Sequence, residues 1–334
     1  MDEIQTASGL QTIATWWMWA GFGVFVIAML AIDLLLLGKK GAHKVGAKEA
    51  LTWSLIWFAM ALLFGAGLWA WLDHSAGRAV ADVKVIEYLT GYLLEKTLAM
   101  DNIFVFVMIF SYFAVPQEFQ KRVLIYGVLG AIVLRAIMIA LGAWLISQFH
   151  WVLYIFGAFL LITGIKMLIF AEQEPNLADN PLLKWLKNHM RVTDEYHGEK
   201  FWIVKNGVRW FTPMFLVLVL IEFSDVIFAM DSIPAIFAIT SDPFIVFTSN
   251  IFAILGLRAL YFLLADMANR FHLLKYGLAI VLVFVGVKML IVEWYKVPVA
   301  ISLAVVVTLL GTSILLSLIA TRRKSRKARL VAKP

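Results

Sequence analysis

Long apolar runs, each about the 20 residues that a helix needs to cross a bilayer, alternate with short polar connections along the whole chain. They fall at 17–37, 51–72, 86–113, 123–148, 151–171, 213–239, 244–265, 273–294 and 297–320. The pattern predicts an all-α, polytopic membrane protein with about nine transmembrane helices. The first run is expected to remain in the membrane. Asp2 and Glu3 precede it with no Lys or Arg, and no cleavage site follows, so it lacks the features of a removed signal. The single long connection, 172–212, carries mixed charge with Pro175 and Pro181, and predicts a short amphipathic helix over Leu182–Met190.

Composition supports lipid as the surrounding solvent: 62% of the 334 residues are hydrophobic and 15% charged, against roughly 45–50% and 25% in soluble domains. The charges are distributed unevenly. Lys39, Lys40, Lys44 and Lys48, then Lys121 and Arg122, the six of 172–212, Arg270 and Lys275, and the tail beginning Arg322-Arg323-Lys324 all fall on one set of alternate connections. Only Arg78, Lys84 and Lys296 fall on the other. Positive residues stay inside, so the N-terminus is expected outside and the C-terminus in the cytoplasm. The basic tail then reads as a topology anchor, and no nucleic-acid partner is expected despite a net charge of +7. With no cysteine in the chain, disulfides, thiolate metal sites and thiol nucleophiles are excluded.

Runs three to five and six to eight share landmarks in the same order. Ala99-Met100-Asp101 returns as Ala229-Met230-Asp231, with Glu95 and Asp225 at the same distance upstream. Leu134-Arg135-Ala136 returns as Leu257-Arg258-Ala259, Phe149-His150 as Phe271-His272, and Gly164-Ile165-Lys166-Met167-Leu168-Ile169 as Gly286-Val287-Lys288-Met289-Leu290-Ile291. Shared composition does not place polar residues in register. Units of three spans must enter the membrane in opposite orientations, the plan of many secondary transporters, whose site lies between the copies. The predicted organisation is a two-helix segment at 1–85, a first repeat at 86–171, a cytoplasmic connection at 172–212, a second repeat at 213–294, and a last helix with a basic tail at 295–334.

Six carboxylates lie inside the runs: Asp33, Glu95, Asp101, Glu222, Asp225 and Asp231. Each costs roughly 2.5–3.5 kcal/mol at a helix centre in lipid, so each must face a bundle interior or a wet cavity. Lys96, Arg135, Lys166, Arg258 and Lys288 are the bases within the runs. Lys166 and Lys288 can snorkel from span ends, which leaves an acidic surplus. Arg135 and Arg258 read as structural ion pairs with a carboxylate of a neighbouring helix, and purely structural glue is the alternative role for all the acids. At about 100° per residue, Glu95 and Asn102 share a helix face, as do Asp225 and Ser232, with Glu222 one turn from Asp225. Asp101 and Asp231 fall about 120° off that face. Pro234 is expected to bend its helix and free the carbonyl of Met230. Carboxylate, amide, hydroxyl and carbonyl oxygens suit Mn²⁺, Mg²⁺ or Ca²⁺ rather than Cu⁺ or Zn²⁺. His43, His74, His150, His189, His197 and His272 all stand in connections or at span ends. The thioethers of Met100 and Met230 would favour Mn²⁺ if they ligate, and read otherwise as packing. Lys96 matches Val226 and breaks the symmetry, either holding Glu95 charged or substituting for an absent ion.

Glu95-Lys96-Thr97-Leu98-Ala99-Met100-Asp101-Asn102 and Glu222-Phe223-Ser224-Asp225 through Ala229-Met230-Asp231-Ser232-Ile233-Pro234-Ala235 resemble the two signature stretches of the TerC family, with Alx-type manganese exporters the nearest in appearance. The resemblance runs over nearly the whole chain, including Ala31-Ile32-Asp33-Leu34 and the basic turn after it. It implies an inner-membrane protein exporting Mn²⁺, with Glu95, Asp101, Asn102, Glu222, Asp225, Asp231 and Ser232 on the ion path. Asp33, Lys96, Met100 and Met230 are further candidates for a metal or proton path. Exchange with protons is the expected coupling, with Glu95 and Asp225 handling protons and Asp101 and Asp231 as principal ligands. The alternatives are a calcium/proton exchanger, or a membrane scaffold recruiting a protein partner through 172–212 in metal or tellurite stress. No cofactor is implied. HExxH and GxSxG patterns are absent, so an enzyme is not expected.

Overall fold

The computed structural model describes residues 12–40, 46–149, 151–169, 180–264, 273–295 and 297–331. The chain is mostly helical in the order α1 (Trp16–Lys40), α2 (Ala47–Ser75), α3 (Arg78–Tyr112), α4 (Gln117–Gln148), α5 (Val152–Ile169), α6 (Pro181–His189), β1 (Trp202–Lys205), β2 (Val208–Phe211), α7 (Pro213–Phe237), α8 (Pro243–Leu255), α9 (Leu257–Leu264), α10 (Leu274–Leu290) and α11 (Val299–Val331). Proline marks three helix starts: Pro181, Pro213 and Pro243 each open a helix, where the missing N–H costs nothing. Asn180 accepts from the Leu182 and Leu183 amides at 2.9 and 3.2 Å, and Asp242 from that of Phe244 at 3.0 Å. Gly77, at φ +89°, turns α2 tightly into α3.

Every predicted apolar run coincides with helix, although the helices differ in how well they suit lipid. By length and composition α2, α4, α5, α7 and the apolar part of α11 can each cross a membrane, and α8 with α9 makes a sixth if the bent pair is one span. The apolar part of α1 spans only Trp16–Ile32, α10 has 17 residues, and α3 carries many ionisable side chains. For α3 the reason is its position. It packs against α2, α7, α8, α9 and α11, so its polar residues meet protein rather than hydrocarbon. The outward faces are apolar instead: Val133, Ile137 and Leu141 of α4 and Ile155, Phe159 and Ile162 of α5 are exposed at helical spacing. Such a broad apolar surface needs lipid around it.

Helices α5 and α10, which share the Gly-x-Lys-Met-Leu-Ile landmark, pack with their backbones nearly touching. A methyl placed on Gly157 would lie 3.1 Å from the Gly286 carbonyl, and one on Gly286 2.7 Å from the Leu161 amide. Only glycine allows this crossing.

Three features depart from the sequence-based expectation. The predicted single span 244–265 is broken at Gly256, and α8 and α9 meet at 41°. Helix α3 begins at Arg78 rather than 86. The connection contains the predicted amphipathic helix, now α6, but also an unforeseen hairpin: β1 and β2 pair antiparallel from Trp202↔Phe211 to Lys205↔Val208. Asn206 and Gly207 form its turn at φ +52° and +73°, the left-handed pair that a two-residue hairpin requires. The connection folds back on the bundle. Leu183 and Leu186 are buried, Arg122 pairs with Glu199 at 3.1 Å, and the Tyr196 hydroxyl donates to the Phe113 carbonyl at 2.7 Å.

Candidate functional site

The seven-residue spacing does place Glu95 with Asn102 on α3, and Asp225 with Ser232 on α7, on buried faces. Glu95 is 0% exposed and Asp225 3%. Between them stands Arg135 of α4, itself 1% exposed. Its Nη1 donates to Glu95 Oε1, to Ser232 Oγ at 3.0 Å and to Asn250 Oδ1 at 2.8 Å. Its Nη2 lies 3.6 Å from Asp225 Oδ1. Asn250, on α8, donates its own amide to the Val246 carbonyl at 3.0 Å, which fixes the amide oxygen toward the guanidinium. One guanidinium thus ties four helices together.

The centre is not saturated. Glu95 Oε2, Asp225 Oδ2 and Asn102 Oδ1 are buried with no hydrogen-bond partner. Two carboxylates share the Arg135 guanidinium, and each has an oxygen that it does not reach. A buried acceptor without a donor is costly, and three oxygens of hard character left open suit a hard cation. Beside Asp225 lies a small cavity of about 10 Å³, also lined by Arg258, Gly127, Ala131, Phe106 and Leu257. That is about the room one water molecule needs.

The other expected site residues are placed elsewhere. Glu222, half-buried, packs on Gly130 of α4, where any Cβ would overlap its carboxylate. Asp231, half-buried, turns instead toward α5, where the Thr163 hydroxyl donates to it and Lys166 is near. It does not join Glu95 and Asp225. Met230 is 49% exposed, turned out from the bundle, and Met100 packs among apolar side chains. Neither thioether is placed with the central oxygens. Lys96 neither pairs with Glu95 nor fills the centre: it donates to the Ala253 carbonyl at 3.3 Å, beside Gly256 at the break between α8 and α9. Helix α7 continues through Pro234 to Phe237. Asp33 and Asp101 belong to α1 and α3, and their side chains lie outside the described residues, as do His43, His150 and His272. Among the described residues no three His, Asp or Glu side chains form a metal-holding group. The centre is therefore two carboxylates supplemented by neutral oxygens. Sequence reasoning missed Asn250, although Thr248-Ser249-Asn250 is a polar interruption in an apolar run, and it assigned Arg135 a pairing role without a place at the centre.

A second polar group lies away from this centre. Lys84 pairs with Glu87 at 2.8 Å, Thr240 donates to Glu87 at 2.6 Å, and Asp242 receives Thr12 and the Ile13 amide at 3.0 and 2.9 Å. It joins the start of α1 to the α7–α8 turn.

Residues 80–325 match the integral membrane protein TerC family. The membrane-bound redox modulator Alx, as that protein is named, of Escherichia coli (strain K12) is 60% identical over 297 residues, covering 89% of this chain and 92% of its own. Its namesake in Salmonella typhi is 55% identical over 320 residues, 96% and 99% of the two chains. An uncharacterized membrane protein of Myxococcus xanthus, STKORF319, is 50% identical over 305 residues, 91% and 93%. No solved structure matches the chain. Apolar outer faces, buried acids and a match over most of the sequence agree, and the chain is a multi-pass integral membrane protein belonging to the TerC family.

Proposed function

We propose that this protein exports Mn²⁺ across the inner membrane in exchange for protons, at the centre formed by Glu95 and Asp225. The observation that carries the reading is the pair of buried carboxylates with unpartnered oxygens, Glu95 Oε2 and Asp225 Oδ2, at a depth where each charge costs roughly 2.5–3.5 kcal/mol. Asn102, Ser232 and Asn250 would complete an all-oxygen site, which hard divalent cations prefer. The resemblance to manganese exporters supports Mn²⁺ as the substrate. Glu222 and Asp231 then serve as acids on the approaches, with Asp101 the repeat counterpart of Asp231.

Moving a divalent cation outward against an inside-negative potential costs about 4.6 kcal/mol per 100 mV, so a passive path would leak inward. Alternating access with protons entering the emptied carboxylates supplies the drive. Nine crossings, six of them in an inverted repeat, with the N-terminus outside, would fit this mechanism, and the close pairing of α5 with α10 is the contact expected between repeat-related helices near a pseudo-twofold axis. The Alx relatives are named for redox modulation. This chain has no cysteine, so any such effect would act through metal supply rather than thiol exchange.

Purified protein in proteoliposomes with an acid interior tests the reading. Mn²⁺ should accumulate inside, Ca²⁺, Mg²⁺ and Zn²⁺ less so, and Glu95→Gln and Asp225→Asn should each lower the rate by about 100-fold, the effect of losing one or two strong ligands. Absence of transport in the parent protein, or full transport in both variants, would overturn it.

A further inference from the structure

Arg135 occupies the position that the proposed function gives to the ion. Its guanidinium stands between the two carboxylates, and every neutral group it engages, Ser232 Oγ and Asn250 Oδ1, presents an oxygen that a metal would use. A purely structural arginine would be expected to satisfy the acids it pairs with. Here each acid keeps one buried oxygen without a partner, Glu95 Oε2 and Asp225 Oδ2, and so does Asn102. Arg135 Nε is likewise buried without a partner, so guanidinium and acids are incompletely matched and the acids keep oxygens that Arg135 does not use. The cavity beside Asp225 lies on the side of Arg258, the residue matching Arg135 in the second copy of the sequence repeat. In that register Gly127 matches Asn250. The amide that helps hold Arg135 thus has no side-chain counterpart next to Arg258, and the cavity lies against that glycine.

We propose that Arg135 is a tethered cation that fills the carboxylate site when no metal is bound, and that the incoming divalent ion displaces it from Glu95 and Asp225. This rests on the export reading of the same site. The cavity at Asp225 is the point of entry: the ion reaches the free Oδ2 first, then draws Glu95 from the guanidinium and takes up the open oxygen of Asn102. Because the site is available only when Arg135 has moved, the observed affinity is the intrinsic affinity reduced by the fraction of protein in that state. A tethered cation also closes the empty path, since a second cation entering would meet the charge of the first.

Mn²⁺ binding by the purified full-length protein tests this without any transport measurement. Arg135→Gln removes the charge while keeping an amide, and is expected to bind Mn²⁺ about tenfold more tightly than the parent. Mn²⁺ should also raise its melting temperature by more than that of the parent. Arg135→Lys, which keeps the charge but loses the planar fork, should fall between the two. If Arg135→Gln does not fold, the lysine variant decides: affinity above the parent supports the tethered cation, and affinity at or below it overturns it. Binding by the parent with equal or weaker binding by a folded Arg135→Gln overturns the tethered cation and leaves the export reading standing. Binding by Arg135→Gln alone supports the tethered cation. No binding by any of the three removes both.

Discussion

Glu95 and Asp225 were related in sequence by the repeat, and seven-residue spacing keeps Asn102 and Ser232 on their respective faces because helices of this length hold that phase. The same arithmetic placed Asp231 off the face, and the structure takes it to Thr163 and Lys166 on α5. Asp231→Asn should accordingly keep at least about a third of the parent transport rate under conditions where Asp225→Asn is inactive, since an approach acid adds less than a ligand. Equal loss in both would return Asp231 to the centre. Arg135 was legible as an ion pair but not as the middle of the site, because one sequence does not say which of several acids a long side chain reaches. Glycine at 130 exists for Glu222: a methyl would overlap the carboxylate. Gly130→Ala should destabilise the protein by about 1–3 kcal/mol through overpacking, read as a lower melting temperature in detergent. An unchanged value would mean that Glu222 has other room.

Among the elements, the apolar runs located the helices, whereas the Asn-Gly pair at 206–207 is a hairpin signal flanked by strands of only four residues each, mostly exposed and without a clear apolar alternation. The break at Gly256 was less legible. Its partner lies far off in sequence: the Lys96 ammonium donates to the carbonyl of Ala253 just before the chain turns by 41°. The cap formed by α6 and the hairpin gives a separable test of function. Gly207→Val forces a branched residue into the left-handed region, at a cost of roughly 1–2 kcal/mol, so limited proteolysis should cut the hairpin faster while Mn²⁺ transport persists. Loss of transport together with the hairpin would show that the hairpin takes part in transport. Burial raises the pKa of Tyr196, whose hydroxyl donates to Phe113. A raised folded value means the contribution is whole below the unfolded value of about 10 and is lost as pH rises through the folded one. Cap protection should fall above that pH in the parent and show no such step in Tyr196→Phe.

At the scale of the molecule, the charge asymmetry between alternate connections makes a specific statement about sides. The chain has no cysteine, so single-cysteine variants are clean reporters. His74→Cys, in the last turn of α2, should react with a membrane-impermeant maleimide on intact cells stripped of their outer membrane, and Asn188→Cys, at the end of α6, only after permeabilisation. The reverse pattern would invert the topology and with it the direction of transport. The arginine clasp also constrains how the protein is made. Asn250 follows Arg135 by 115 residues, so when α4 first reaches the membrane most of the groups that will hold its guanidinium have yet to be synthesised. Glu95, 40 residues earlier, is already there. Helices α3 and α4 can therefore leave the translocation channel as a hairpin carrying its own counter-charge, and the later helices close around a pair already neutralised. Glu95 is then needed twice, first so that α4 can enter the bilayer and only afterwards for the ion.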